Sequence, residues 1–462
     1  MKVSNSWRLM AAVALFAIVL TACGGAATPT TAPEQPAPAA TDAPAVPAAT
    51  DAPAAAEPVK LVLMAAENAI SQAEIDAYVA ANPGVTIERI LPDSTKLAAM
   101  IAAGEAPDVI EGSGADTPTW VDRGWVLDLT PYFAKSEVLK ADDMVPAVDY
   151  FRYNGGWYGM NKDWSPDQSF FISKSAAAEA GIELPPVHTI ITYAQAGEWA
   201  RKMTKSEGGR VTRVGLSYSD YWDATVQTIL MENGEDLYSE DFTHANIKDN
   251  ATVVEFLTFM AELASDNADF NPLNPSPEWI VPDLLNGRAA SATNGYWIQG
   301  GFHGVEAPVV APSDYVMYPA LSWGGKVIVN PALGGSGWFI SATTKNPEAA
   351  WKFYEYYMGG DPALNRAKTG WGMPALKSLY AEIPATEEWQ KQFIENVQWE
   401  QVNTIQTPRR INPYYSTGVF NTTWQANLER YLKGEITIEE AIANLDTEVN
   451  KAIADGKAAS GN

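Results

Sequence analysis

Cysteine and histidine are nearly absent from this sequence, which has one and three of them in 462 residues. A single cysteine excludes an intramolecular disulfide and any cysteine-cluster zinc or iron–sulfur site. His188, His244 and His303 stand far apart and none has a partner at metal-ligand spacing, so neither a metal nor a cofactor is expected. Positive charge is scarce too. Thirty-one Lys and Arg face 56 Asp and Glu, for a formal net charge of −25. Nucleic acid and anionic membrane surfaces both require a basic patch, so neither is an expected partner. The apolar run Leu9 to Leu20 has twelve residues. As helix it would span about 18 Å, against a hydrocarbon core of roughly 30 Å. What is abundant is aromatic: 16 Trp, 19 Tyr and 14 Phe in a chain that is 47% hydrophobic. Such a chain can bury a large core, and global disorder is excluded.

Lys2 and Arg8 precede the apolar run, and Leu20-Thr21-Ala22-Cys23 follows it. A basic start, a short apolar stretch and small residues before a cleavage point read as a secretory signal over residues 1–22. The tetrapeptide resembles the bacterial lipobox, which implies that Cys23 is lipidated and becomes the mature N-terminus. The membrane would then be a partner through the lipid alone. Loss of Lys2 and Arg8 takes the charge from −25 to −27. Residues 24–58 are Ala, Pro and Thr with four carboxylates and no aromatic, and Ala-Thr-Asp-Ala-Pro-Ala occurs at 40–45 and 49–54. This stretch has nothing to bury, and its prolines favour extended backbone, so 23–58 reads as a lipidated tether.

From Val59 onward short strand signals alternate with amphipathic helices. Val59–Met64 and Val85–Ile90 read as strands, as does the stretch around Asp108–Ile110; helices are expected over 71–81 and 94–103. This order argues an α/β fold with a mostly parallel sheet. Later, Asn346-Pro347-Glu348 opens a helix that stops at Gly359-Gly360. Another helix ends at Gly434, and Thr437-Ile438-Glu439-Glu440 is a capping box that opens the last one.

Six segments carry a resemblance, in order along the chain. They are Lys96 to Ile110 with its Gly104-Glu105-Ala106-Pro107-Asp108-Val109 core, Gly124 to Phe133, the Gly155-to-Met160 hairpin, Phe171 to Pro186, Leu285 to Ala290, and Gly334 to Ile340 leading into Asn346 to Phe353. Together they resemble the extracellular solute-binding proteins of ABC importers, in the branch typified by maltose-binding protein. There are departures. Gly156 and Met160 replace the usual lysine and proline of the hairpin. Pro186-Val187-His188-Thr189-Ile190 stands where the family has Pro-x-Thr-Trp, and Asn161 to Asp167 is longer than usual. The resemblance implies a type II, two-lobed periplasmic-binding-protein-like fold with interleaved lobes joined by hinge crossovers. Lobe 1 would be 59–166 plus 333–372, and lobe 2 would be 167–332 plus 373–462. Ligand would sit between them, hinge closure would capture it, and the transmembrane subunits of an ABC permease would receive it.

A sugar presents an apolar C–H face and a rim of hydroxyls, so its site needs aromatic rings beside paired polar groups. Open α/β sheets place ligands on loops at strand ends. On such loops the expected ligand-binding residues are Glu67, Asp116, Trp120, Trp164, Tyr221, Trp222, Tyr296, Trp297, Trp338 and Trp371. For each tryptophan the alternative is core packing, and that is the expectation for Trp199, Trp351, Trp389 and Trp424 inside helical patterns. Gly334-Gly335-Ser336-Gly337 lacks a P-loop lysine, and no motif singles out a carboxylate pair, so no catalytic residue is expected. The expectation is therefore a monomeric, lipid-anchored, non-catalytic binding protein for a mono- or oligosaccharide. A binder of a cationic solute (a polyamine or amino-acid derivative), favoured by the charge of −27, is one alternative. A secreted carbohydrate-active enzyme is another.

Overall fold

The computed structural model describes residues 58–218, 222–325, 328–330, 335–405 and 410–460. The leader, Cys23, the tether to residue 57, and Tyr221 lie outside the described residues. Beginning at strand β1 (Val59–Met64), the chain runs through helix α1 (Gln72–Ala81), β2 (Val85–Ile90), α2 (Ser94–Ala102) and β3 (Val109–Ser113). Helix α1 starts where the sequence says it should. Ser71 and Glu74 form a reciprocal capping box that satisfies two of the backbone donors orphaned at a helix start. Asp93 caps α2 by accepting from the Lys96 backbone N–H at 2.8 Å.

Besides two short two-stranded hairpins (Arg152–Tyr153 with Gly156–Trp157, and Lys205–Glu207 with Arg210–Arg213), seven further strands follow in chain order: β4 (Gly159–Asn161), β5 (Asp163–Trp164), β6 (Ser169–Ser173), β7 (Ser291–Asn294), β8 (Tyr315–Ala320), β9 (Ser336–Ile340) and β10 (Met373–Pro374). The first sheet has the order β2-β1-β3-β9-β4. Its β1/β2 and β1/β3 pairs are parallel, whereas β9 runs antiparallel to both β3 and β4. The mostly parallel sheet expected from the sequence therefore holds only for β1 to β3. Strand β9 joins after an excursion of more than 170 residues, and no helical crossover of the βαβ kind fixes its direction. A second sheet, β7-β6-β8, is antiparallel throughout.

Strand β6, Ser-Phe-Phe-Ile-Ser, is buried along its whole length. Successive side chains point to opposite faces. Phe170 and Ile172 join a cluster with Leu216, Phe256 and Trp424, while Phe171 joins another that holds Leu61, Val109 and Phe339. An uninterrupted apolar strand is what burial on both faces requires. The outer edge of β8 is sealed by a side chain. The Gln392 amide accepts from the Met317 N–H at 3.0 Å and donates to its C=O at 2.7 Å, as a neighbouring strand would.

Helices α3 (Ile298–Phe302), α4 (Pro347–Gly359), α5 (Asp361–Thr369), α6 (Glu388–Asn403), α7 (Gly418–Leu432) and α8 (Ile438–Ser460) complete the parts needed below. Gly434, with φ +72°, ends the turn after α7, and Thr437 with Glu440 caps α8, both as the sequence indicates. Between the two sheets, β5 pairs antiparallel with β10, Met373 opposite Trp164. Gly335 and Gly372 both approach Asp163 closely, so three chain passages converge on that residue. Among the described residues, no helix is long and apolar enough to cross a membrane.

Candidate ligand-binding cleft

Beyond the C-terminal end of β1 lies a cavity of about 790 Å³. One side is built by the β1–α1 loop with Glu67, Asn68 and Ser71, by Lys162 just before β5, and by Arg366, Lys368 and Trp371 around the end of α5. The other side is built by α3 and its exit, with Gly300, His303 and Gly304, and by Pro384, Thr386 and Gln390 at the start of α6. Segments far apart in sequence thus supply polar groups of both signs and an indole ring to one space. The lining is more polar than that of an ordinary small-molecule pocket, and its convergent polar groups beside one indole suit a polar solute.

The charged groups differ in how free they are. Glu74 is occupied by Ser71, whose N–H and hydroxyl both donate to it, at 2.9 and 2.8 Å. The Arg366 guanidinium lies 4.3 Å from the Tyr357 ring centre and donates to the Tyr357 carbonyl at 3.0 Å, which fixes its position. Half-buried Asp163 lies near it. Desolvation pushes its carboxyl up, and the nearby charges of Lys162 and Arg366 pull it back down. Lys162 and Arg366 thus stand as cations at the cleft wall of a strongly acidic chain.

The structure brings three of the expected residues together. Glu67 and Trp371 line the cavity, and Trp297 lies against Trp371 with ring centres 5.8 Å apart. Others do not meet there. Trp338 is fully buried and stacks on Tyr357 at 3.5 Å and 8°. Trp222 is buried against Trp424 and Tyr218. Trp164 and Tyr296 are buried as well. An enclosed ring has no free face to stack on a ligand, so these four are core residues here, contrary to the sequence expectation. Asp116 and Trp120 also lie off the cavity lining. Asp116 accepts from the Ser113 N–H at 2.7 Å in a tight turn, and its carboxyl is raised by burial. Trp120 packs over Gly112 and the Phe339 ring, centres 4.9 Å apart. Strand-end position alone does not separate a loop tryptophan that faces the cleft from one that closes the core beneath it.

Residues 73–394 match the family described as bacterial extracellular solute-binding protein. The chain belongs to that family. No curated protein sequence matches it. Among solved structures, this solute-binding protein is similar to an ABC substrate-binding protein from Listeria monocytogenes in complex with cycloalternan. That pair shares 21% identity with a TM-score of 0.67, covering 86% of this chain and 99% of the other. The sugar-binding protein MalE of Xanthomonas citri is 18% identical with a TM-score of 0.66, covering 87% and 100%. An ABC solute-binding protein from Thermotoga lettingae with bound alpha-D-tagatose is 19% identical with a TM-score of 0.65, covering 86% and 100%. These likenesses show the fold: two α/β lobes, as the six sequence segments implied. Family membership places the protein outside the cytoplasm and gives it a solute to bind.

Several cleft residues escaped the sequence reading. Lys162 sat in the Asn161–Asp167 stretch, visible only as a length difference. Arg366 and Lys368 lie in the last turn of α5, which the sequence reading did not single out. His303 had no partner in sequence. The adjacent Gly300 and Gly301 were the one local signal that something approaches α3 closely. Arg410, by contrast, behaves as an acidic chain predicts. It pairs with Asp236 at 2.8 Å and donates to the carbonyls of Tyr238, Ser239 and Glu240.

Proposed function

We propose that this solute-binding protein is the lipid-anchored, non-catalytic capture component of an ABC importer and that it takes a mono- or oligosaccharide. The observation that carries the reading is the meeting of Trp371 with Glu67, Lys162 and Arg366 around one cavity. An indole face suits the C–H face of a pyranose, and fixed charges of both signs suit its hydroxyl rim. Solved relatives with cycloalternan and tagatose bound support the same class. A cationic solute fits less well, because Lys162, Arg366 and Lys368 line the same cavity. Within this reading, lobe 1 is 59–166 plus 333–372, lobe 2 is 167–332 plus 373–462, and the passages through Asp163 form the hinge. Ligand shifts the equilibrium toward the closed form that the permease receives.

The test is a thermal-shift panel of neutral sugars, polyamines and amino acids. Ligand that binds only the native state raises Tm by mass action, and sugars alone are expected to do so. A shift with polyamines and none with sugars overturns the assignment. Incubation with oligosaccharides is expected to release no product. The anchor has a separate check. Cys23→Ala is expected to move the protein from the membrane to the soluble fraction of the producing cell, since one lipid-bearing residue carries the attachment. Retention at the membrane contradicts it.

A further inference from the structure

Trp279 is the one tryptophan among the exposed large hydrophobic residues of the described chain, with 46% of its surface open. Its ring stacks on Trp297, centres 6.0 Å apart and planes within 14°. Trp297 in turn lies 5.8 Å from Trp371, which lines the cleft. Three indoles in mutual contact therefore connect the cavity lining, at Trp371, to the solvent-exposed Trp279.

The arrangement is built in, because two consecutive glycines of α3 seat its ends. A Cβ on Gly300 would lie 2.5 Å from the Trp371 Cα, and a Cβ on Gly301 would lie 3.2 Å from Trp279 Cη2 and 2.8 Å from Val281 Cγ2. Any larger residue at either position would push a tryptophan away. The segment that carries Trp279 is also held firmly. Arg288 donates to Asp283 Oδ1 at 2.6 Å and pairs with Glu278, while the single Ser276 hydroxyl proton is shared between the Asp283 carboxylate and the Glu278 carbonyl, the latter at 2.8 Å. Asp283 is fully buried, so this network is anchored in the core. An exposed indole would lose little conformational freedom on binding when its backbone is already fixed, and it offers a wide apolar face.

We infer that Trp279 is a distal stacking subsite and that the ligand of this cleft is an oligosaccharide long enough to reach it, not a single sugar. The inference rests on the carbohydrate reading above. The first unit occupies the charged cavity beside Trp371, and later units run outward over the indole track. Trp279 then sets the preference for chain length without touching the unit bound in the cavity.

Titration calorimetry with gluco- and manno-oligosaccharides of one to five units tests this on the full mature protein. The wild type is expected to bind the longer chains more tightly than the monosaccharide. Trp279→Ala is expected to weaken the longer chains by about three- to ten-fold, the value of one aromatic contact, and to leave the shortest binding sugar unchanged. Trp279→Phe keeps a ring and is expected to restore most of the length preference. Affinity that is flat with chain length in the wild type, or an equal loss at every length in Trp279→Ala, overturns the subsite. Failure of every sugar to bind the wild type overturns the carbohydrate reading itself, and the subsite with it.

Discussion

Replacing Glu400 with glutamine is expected to remove about 3 kcal/mol of pH-dependent stability between about pH 4 and pH 8. Glu400 lies on α6, fully buried. Its carboxylate accepts from the Ser169 hydroxyl and the Asn396 amide, each at 2.8 Å, and from the Asn330 amide. The backbone of Ala320 adds a further hydrogen bond. These donors favour the charged form, yet burial outweighs them and pushes the carboxyl up to about 7 from an ordinary value of 4.5. The folded state thus holds this proton more tightly than the unfolded chain. Glu400 contributes no penalty below pH 4.5, lowers stability as pH rises toward 7, and contributes a constant penalty above it. Urea midpoints measured across this range should fall more steeply for the wild type than for Glu400→Gln. Parallel curves would show that Glu400 does not hold the proton. The absolute stability of the variant is a poorer readout, because its amide replaces one acceptor by an NH₂ that must face either the Asn330 NH₂ or the Ser169 hydroxyl and Asn396 amide. Asn330 cannot simply rotate to relieve this, since its Oδ1 accepts from the Gln168 N–H at 3.0 Å.

That node ties β6, the passage at Asn330 and α6 into one unit, and nothing in the sequence marked it. Local physics was readable. Ser71 with Glu74, Pro347 and Gly434 punctuate helices through groups within four residues of each other, and a single sequence displays such groups side by side. The antiparallel entry of β9 was not readable, because strand direction after a long excursion depends on where the remainder of the chain has gone. The cleft was legible in part for the same reason. Glu67 and Trp371 stand directly after a strand and a helix, where position alone suggests exposure to ligand. Trp338 occupies an equally suggestive place after glycines, but its partner Tyr357 arrives from α4 and covers it. Trp279 was passed over because its significance lies in Trp297 and Gly301, eighteen and twenty-two residues on.

Gly335→Ala is expected to cost about 2–4 kcal/mol, more than a left-handed glycine alone explains. Gly335 has φ +52°, and a Cβ there would stand 2.3 Å from the Asp163 carbonyl oxygen, which is backbone and cannot swing aside. Gly434 supplies the comparison. Its φ is +72° and a Cβ would meet nothing within 4 Å, so Gly434→Ala should lose only the conformational part, about 1 kcal/mol. The difference between the two variants in thermal or urea unfolding isolates the crowding at Asp163. Equal losses would mean that the passages can separate freely there. The crowding has a consequence for binding, because Asp163 is paired with β10 on one side and adjoins Lys162 on the other. Lys162 lines the cavity, so a shift of the Asp163 backbone moves a ligand-facing cation directly. Gly335→Ala should therefore weaken sugar binding, whereas Gly434→Ala, remote from the cleft lining, should lower stability and leave affinity intact.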